Sequence, residues 1–192
     1  MVRFLRSLLG ARNGLLSFVR LLLPRCLGLR VGHGVRVGGG ISWPLGNVRN
    51  VQVGDRVSLG AHGWVYIPLD NRQAKISIGS GTAVGNDFVI TANNLIEIGR
   101  DCLLSYRVTV MDHSHVTGPG IGPVTSGLTP GKPVSIGDKC FVGCNVVIMP
   151  GVRLGANCVV GANSVVTKSF EAGTVIAGAP ARVVRNLDLG KA

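Results

Sequence analysis

The stretch IGDKCFVGCNVVIMPGVRLGANCVVGANSVV, residues 136–166, decides the fold. An aliphatic residue returns every six positions, at Ile136, Val142, Ile148, Leu154, Val160 and Val166. Four residues after each comes a second, mostly apolar side chain: Cys140, Val146, Val152, Cys158, Ser164 and Phe170. Glycine follows the aliphatic at Gly137, Gly143, Gly155 and Gly161. A period of six suits neither an α-helix nor a lone amphipathic strand. It suits a short strand, a turn and a new strand facing another way. Three such units close one triangular coil of 18 residues. Stacked coils complete one another's backbone hydrogen bonds and share an aliphatic core. The glycines read as corner residues that need an unusual backbone dihedral.

The same spacing appears upstream at Ile78, Val84 and Ile90, and again at Ile98, Leu104 and Val110. It is less regular at Val53, Leu59 and Val65, and the segments before Val53 are too irregular to set a register. Coil starts at Val53, Ile78, Ile98, Ile136 and Leu154 lie 25, 20, 38 and 18 residues apart, that is, one coil plus 7, 2, 20 and 0. Insertions at corners leave the stack intact. The insertion of 20 falls near 112–133 and is the first place to seek function. In this register Cys102, Cys140 and Cys158 hold the same slot in successive coils. They read as small core hydrophobes rather than as a metal site. Five cysteines without a paired framework point to a reduced, cytoplasmic setting.

The composition agrees with many thin, similar layers: 29 of 192 residues are Gly and aromatics are 5%. The net charge is +11 and unevenly spread. No Asp or Glu precedes Asp55, whereas Arg3, Arg6, Arg12, Arg20, Arg25, Arg30, Arg36 and Arg49 all do. Such an end suits anionic lipid or a phosphorylated ligand. A basic run and aromatic–basic interleaving are both missing, which argues against nucleic acid.

Residues 3–23 carry helical periodicity. Phe4, Leu5, Leu8, Leu9, Leu15, Leu16, Val19, Leu22 and Leu23 fall on one side, and Arg3, Arg6, Asn13, Ser17 and Arg20 on the other. Pro24 is expected to end the helix. The segment is too charged to span a bilayer and is a poor signal peptide. Two readings stay open. Either the apolar face packs on the main domain or a neighbouring subunit, or residues 1–24 rest on anionic lipid at the inner face of the cytoplasmic membrane. The chain thus divides into an amphipathic helix over 1–25, a β-helix over 26–188 and a tail over 189–192.

Residues 136–185 closely resemble the C-terminal half of the galactoside and maltose O-acetyltransferases, and MDHSH, 111–115, resembles the histidine segment of related polysaccharide and sugar O-acetyltransferases. The hexapeptide pattern itself marks the hexapeptide-repeat acyltransferases. The resemblance spans about residues 30–188 in pattern and 98–185 closely. It implies an all-β, left-handed parallel β-helix, a homotrimer with active sites between subunits, and acetyl-CoA as co-substrate. No metal is expected. Left-handed coils depart from the usual right-handed crossover.

Acetyl transfer from a thioester to a hydroxyl needs a base, a donor for the oxyanion and a groove with cations for CoA. His113, at the mouth of the large insertion, matches the family's catalytic histidine. His115 either assists substrate binding or is a loop residue. Asp112 either shapes the turn or fixes a substrate hydroxyl, and alternation along a strand gives no reason to pair it with His113. Asn93, beside Thr91 and Asn94, stands near the family's substrate-binding segment without matching it clearly. For the cofactor, Cys144 stands where the family often has Ser along the pantetheine arm, and Ala162 permits its close approach. Thr167 and Lys168 match a pair near the nucleotide end, and Arg182 and Arg185 match two phosphate-facing arginines. Three other functions compete: a serine or N-acyltransferase of the same fold, a zinc β-helix enzyme, and a non-enzymatic scaffold. The zinc reading needs three converging histidines, and the chain offers only His33, His62, His113 and His115.

Overall fold

A computed structural model describes residues 15–122 and 124–188. The tail, 189–192, lies outside the described residues, as does the first half of the N-terminal segment. The six-residue spacing resolves into short strands that form three parallel sheets of six, eight and five strands. These are the faces of a triangular prism of about six turns, a left-handed parallel β-helix. Among the described residues, the one antiparallel strand pairing joins Thr174–Gly178 to Ala181–Asn186, which closes the C-terminal end.

The register is the one the sequence spacing gives. Val53 pairs with Ile78, Ile78 with Ile98, Ile98 with Ile136 and Ile136 with Leu154 along the first face. One further coil precedes these, because Val31 pairs with Val53 and Val37 with Leu59. Its Arg-rich, Gly-rich sequence hides it. The 18-residue repeat stacks every aliphatic on its counterpart, so Ile136, Val142, Ile148, Leu154, Val160 and Val166 are all buried. The second slot is buried as well, from Cys140 to Phe170. Cys102, Cys140 and Cys158 do stack there, and each thiol donates to a carbonyl of the next coil, at Gly137, Gly155 and Glu171.

The glycines are needed for a different reason than expected. Gly137 and Gly143 do not adopt positive φ. A Cβ on either would stand 2.6 Å from a backbone nitrogen of the next coil, Ala156 or Ala162. They let successive corners touch. The left-handed backbone falls two residues later, at Lys139, Asn145, Asn157 and Asn163, with φ of 57 to 59°. Asn tolerates that region better than most residues, which accounts for the recurring Gly-x-Asn.

The N-terminal helix runs over residues 15–26, past Pro24. Pro24 sits in the last turns, and the stop comes at Gly28, with φ of 102°. The helix turns its polar side, not its apolar one, onto the first coil. Ser17, Leu21 and Pro24 are buried, whereas Leu15, Val19, Leu22 and Leu23 of the apolar side are exposed. The cause is the open edge of the first coil. The Val37 N–H donates to Ser17 Oγ at 2.9 Å, and Arg20 Nη1 donates to the Val37 carbonyl at 2.8 Å. The helix supplies the polar partners that a missing coil would have supplied. Among the described residues, no helix is long and apolar enough to cross a membrane.

Candidate active site

Each coil has three corners, and the corner between the third and first faces carries the irregular sequence. Going up the stack, it holds residues 67–74, then Ala92–Asn94, then the long loop after Met111, then Met149–Gly151, then Thr167–Ser169. The strand Thr109–Met111 is held on both sides, by Val89–Thr91 and Val147–Ile148. The chain leaves the sheet at Asp112, and the loop closes on itself where the Lys132 N–H donates to the Asp112 carbonyl at 2.7 Å.

Leaving the sheet breaks the alternation. Asp112 and His113 therefore do pair: the imidazole Nδ1 lies 2.8 Å from Asp112 Oδ1. The carboxylate also accepts the backbone N–H of Asn93 on Oδ1 and of Asn94 on Oδ2, each at 2.7 Å. Asp112 has no exposed surface and His113 is 8% exposed. A carboxylate only accepts, so Nδ1 carries a proton, and in the neutral imidazole Nε2 is then the nitrogen with the lone pair. Of the two readings of Asp112, the geometry favours shaping the turn over fixing a substrate hydroxyl, since both oxygens have partners inside the protein. Asp112 thus ties the His113 ring to the Asn93–Asn94 corner.

His115 is exposed and bridges Leu128 at the neck of the loop, with Ser114 N–H on Thr129 Oγ1 beside it. The strand does not continue, so His115 does not share a face with His113. Asn93 is half-buried. Its amide donates to the Thr129 carbonyl at 3.0 Å and its oxygen accepts from Asn71 Nδ2 at 2.7 Å. Asn71, with the adjoining corner, is a feature the candidate residues missed. Its signal was the seven-residue insertion ahead of Ile78. Together these corners line a polar cavity of about 620 Å³ that includes Tyr66, Asp70, Asn71, Arg72 and Asn93.

The six cofactor candidates separate into three places. Cys144 and Ala162 stack at the corner between the second and third faces, where the Asn163 N–H donates to the Cys144 carbonyl at 2.8 Å. The Ser105 hydroxyl, the Tyr106 backbone and nearby Arg107 hold the Cys144 thiol below its ordinary range. Thr167 and Lys168 are exposed at the other corner, the one that carries His113, two coils further on. At one strand spacing per coil that is about 10 Å. Lys168 Nζ lies 5.5 Å from the Phe170 ring centre. Arg182 and Arg185 are exposed on the strand Ala181–Asn186. One face of the prism thus separates His113 from Cys144 and Ala162 within a single chain. Among the described residues, no three His, Cys, Asp or Glu side chains come together as a metal site.

Residues 133–168 match the model of the hexapeptide repeat of succinyl-transferase. The chain is 33% identical over 187 residues to the putative lipopolysaccharide biosynthesis O-acetyl transferase WbbJ of Escherichia coli K12, covering 92% of each chain. It is 31% identical to the galactoside O-acetyltransferase of the same organism over 68% of this chain and 64% of that one. The solved hexapeptide-repeat acetyltransferase VCA0836 of Vibrio cholerae, complexed with acetyl coenzyme A, superposes with a TM-score of 0.60 at 27% identity, over 88% of this chain and 76% of that one. The chain belongs to the hexapeptide-repeat acyltransferases.

Proposed function

We propose that the chain transfers an acetyl group from acetyl-CoA to a hydroxyl of a sugar or polysaccharide precursor, with His113 as general base. The observation that carries the reading is the buried Asp112 carboxylate. Two strand-end amides fix it, and it fixes the His113 tautomer with Nε2 free. Acetyl-CoA supplies the acetyl group as a thioester. His113 Nε2 takes the proton as the acceptor oxygen bonds to the thioester carbonyl carbon. The carbon–sulfur bond breaks, and the same imidazole returns the proton to the CoA thiolate. Asp112 stabilises the imidazolium between the two transfers.

The polar cavity beside Asn93 suits a hydroxylated acceptor. Its wall is amides, a tyrosine and the opposed charges of Asp70 and Arg72, with few apolar groups. The names of the two relatives agree: WbbJ is a putative O-acetyl transferase of lipopolysaccharide biosynthesis, and the other acetylates a galactoside.

The separation of the two corners supports a homotrimer. A pantetheine arm lying along Cys144 and Ala162 runs parallel to the prism axis and does not reach His113 of its own chain. A neighbouring copy whose His113 corner faces that column brings the parts together, with Thr167 and Lys168 on the histidine side. The arginines of the terminal strand then supply cations for the CoA phosphates.

The test is to incubate the protein with acetyl-CoA and a panel of nucleotide sugars and glycan intermediates, read as a mass gain of one acetyl. An ester that mild base removes is expected. An acetyl that survives base is an amide and overturns the choice of oxygen. Full turnover by His113→Ala overturns the base.

A further inference from the structure

We infer that the N-terminal end of the prism docks on an anionic lipid bilayer through the outer face of the helix at residues 15–26. The inward side of this helix is fully used: Ser17 and Arg20 cap the edge at Val37, and Leu21 is 2% exposed in the core. That anchorage fixes what points outward. Leu15 is 66% exposed, Phe18 53%, Val19 55%, Leu22 44% and Leu23 58%. These positions recur at the helical spacing and form one continuous apolar stripe, a patch that monomeric proteins rarely leave bare.

The charge around the stripe selects the occupant. Arg20 and Arg25 are exposed on the helix itself, Arg36 on the coil edge under it and Arg30 on the same first coil, and no carboxylate occurs before Asp55 in the sequence. Eight arginines and no acid in the first 54 residues carry most of the net charge of +11. A second copy of this chain would bring the same cations to the same place and repel. A bilayer of anionic headgroups offers the opposite charge over an apolar interior, which is the pairing an interfacial helix needs. Beside the stripe, a cavity of about 610 Å³ is lined by Phe18, Leu21 and Leu29, with Arg25 and His33 also in its wall, so apolar and cationic groups meet in one hollow.

Docking at this end also gives the acceptor cavity a direction. Residues 66–73 and Asn93 lie on coils between this end and His113. A sugar carried on a membrane lipid would approach His113 from the bilayer side. This last consequence rests on the acceptor reading above, whereas the docking itself does not.

The experiment is co-sedimentation of the full chain with vesicles, without substrate. One set is phosphatidylglycerol mixed with phosphatidylcholine, the other phosphatidylcholine alone. Binding to the anionic vesicles only, weakened by salt, is expected. The double variant Val19→Asp, Leu23→Asp should lose at least tenfold in bound fraction, since both side chains are exposed and their change leaves the fold intact. Arg30→Gln with Arg36→Gln should weaken binding while leaving the apolar stripe in place. Sedimentation velocity of each variant keeps the outcomes apart. Failure of the native chain to bind anionic vesicles overturns the proposal, as does undiminished binding by Val19→Asp, Leu23→Asp. A drop in oligomer size for that variant shows that a second copy covers the face, and overturns it equally.

Discussion

Asp112 is held by the amides of Asn93 and Asn94 as well as by a histidine, and these partners offset the cost of its burial. A buried carboxylate is tolerated when its oxygens accept enough hydrogen bonds, and here they accept three. His113→Ala should lower kcat roughly 10²–10⁴-fold, the usual contribution of a positioned base. Asp112→Asn should lower kcat by about 10² or more with little change in the acceptor KM, because an amide no longer enforces the tautomer. Steady-state kinetics on the acetylated acceptor separates the two parameters. A change confined to KM would instead return Asp112 to the acceptor. The histidine was legible in DHSH, but its partner was not. Alternation along a strand argued against pairing neighbours, and nothing local in the sequence says that the strand stops at Met111. The corner that completes the cavity was equally hidden, since Asn71 and Asn93 lie 22 positions apart and meet only because their coils stack.

At the scale of elements, the corners show why the repeat needs its glycines. Gly143→Ala would press a methyl against the Ala162 nitrogen at 2.6 Å, backbone against backbone. A loss of about 1–3 kcal/mol is expected, measured as a fall in Tm. An unchanged Tm would mean that the coils are not stacked as closely as described. Ser17→Ala removes the acceptor of the Val37 N–H, and with water able to reach the coil edge once the helix loosens, a loss of about 1 kcal/mol is expected. The strands and their register were readable because every coil repeats the same two buried slots. The helix was readable as a helix, but the sequence left open which side it turns inward. Hydrophobic periodicity assumes that apolar side chains turn inward, whereas the end of a solenoid offers unpaired backbone groups that a serine and an arginine satisfy better.

For the whole molecule, the decisive fact is that two sets of site residues occupy different corners of one prism. Cys144 and Ala162, 18 residues apart, share one column and Thr167 shares that of His113, and in the proposed trimer the column that faces His113 belongs to the neighbour. Co-expression of two defective chains measures this directly. One carries His113→Ala. The other carries Ala162→Arg, which fills the arm's column on an exposed residue and leaves the base intact. Each alone should be nearly inactive in acetyl transfer. Mixed assemblies should recover roughly one quarter of the native rate, as random assortment around a closed ring requires. Mixtures no more active than the separate variants would contradict a site built from His113 of one copy and the Ala162 column of the next.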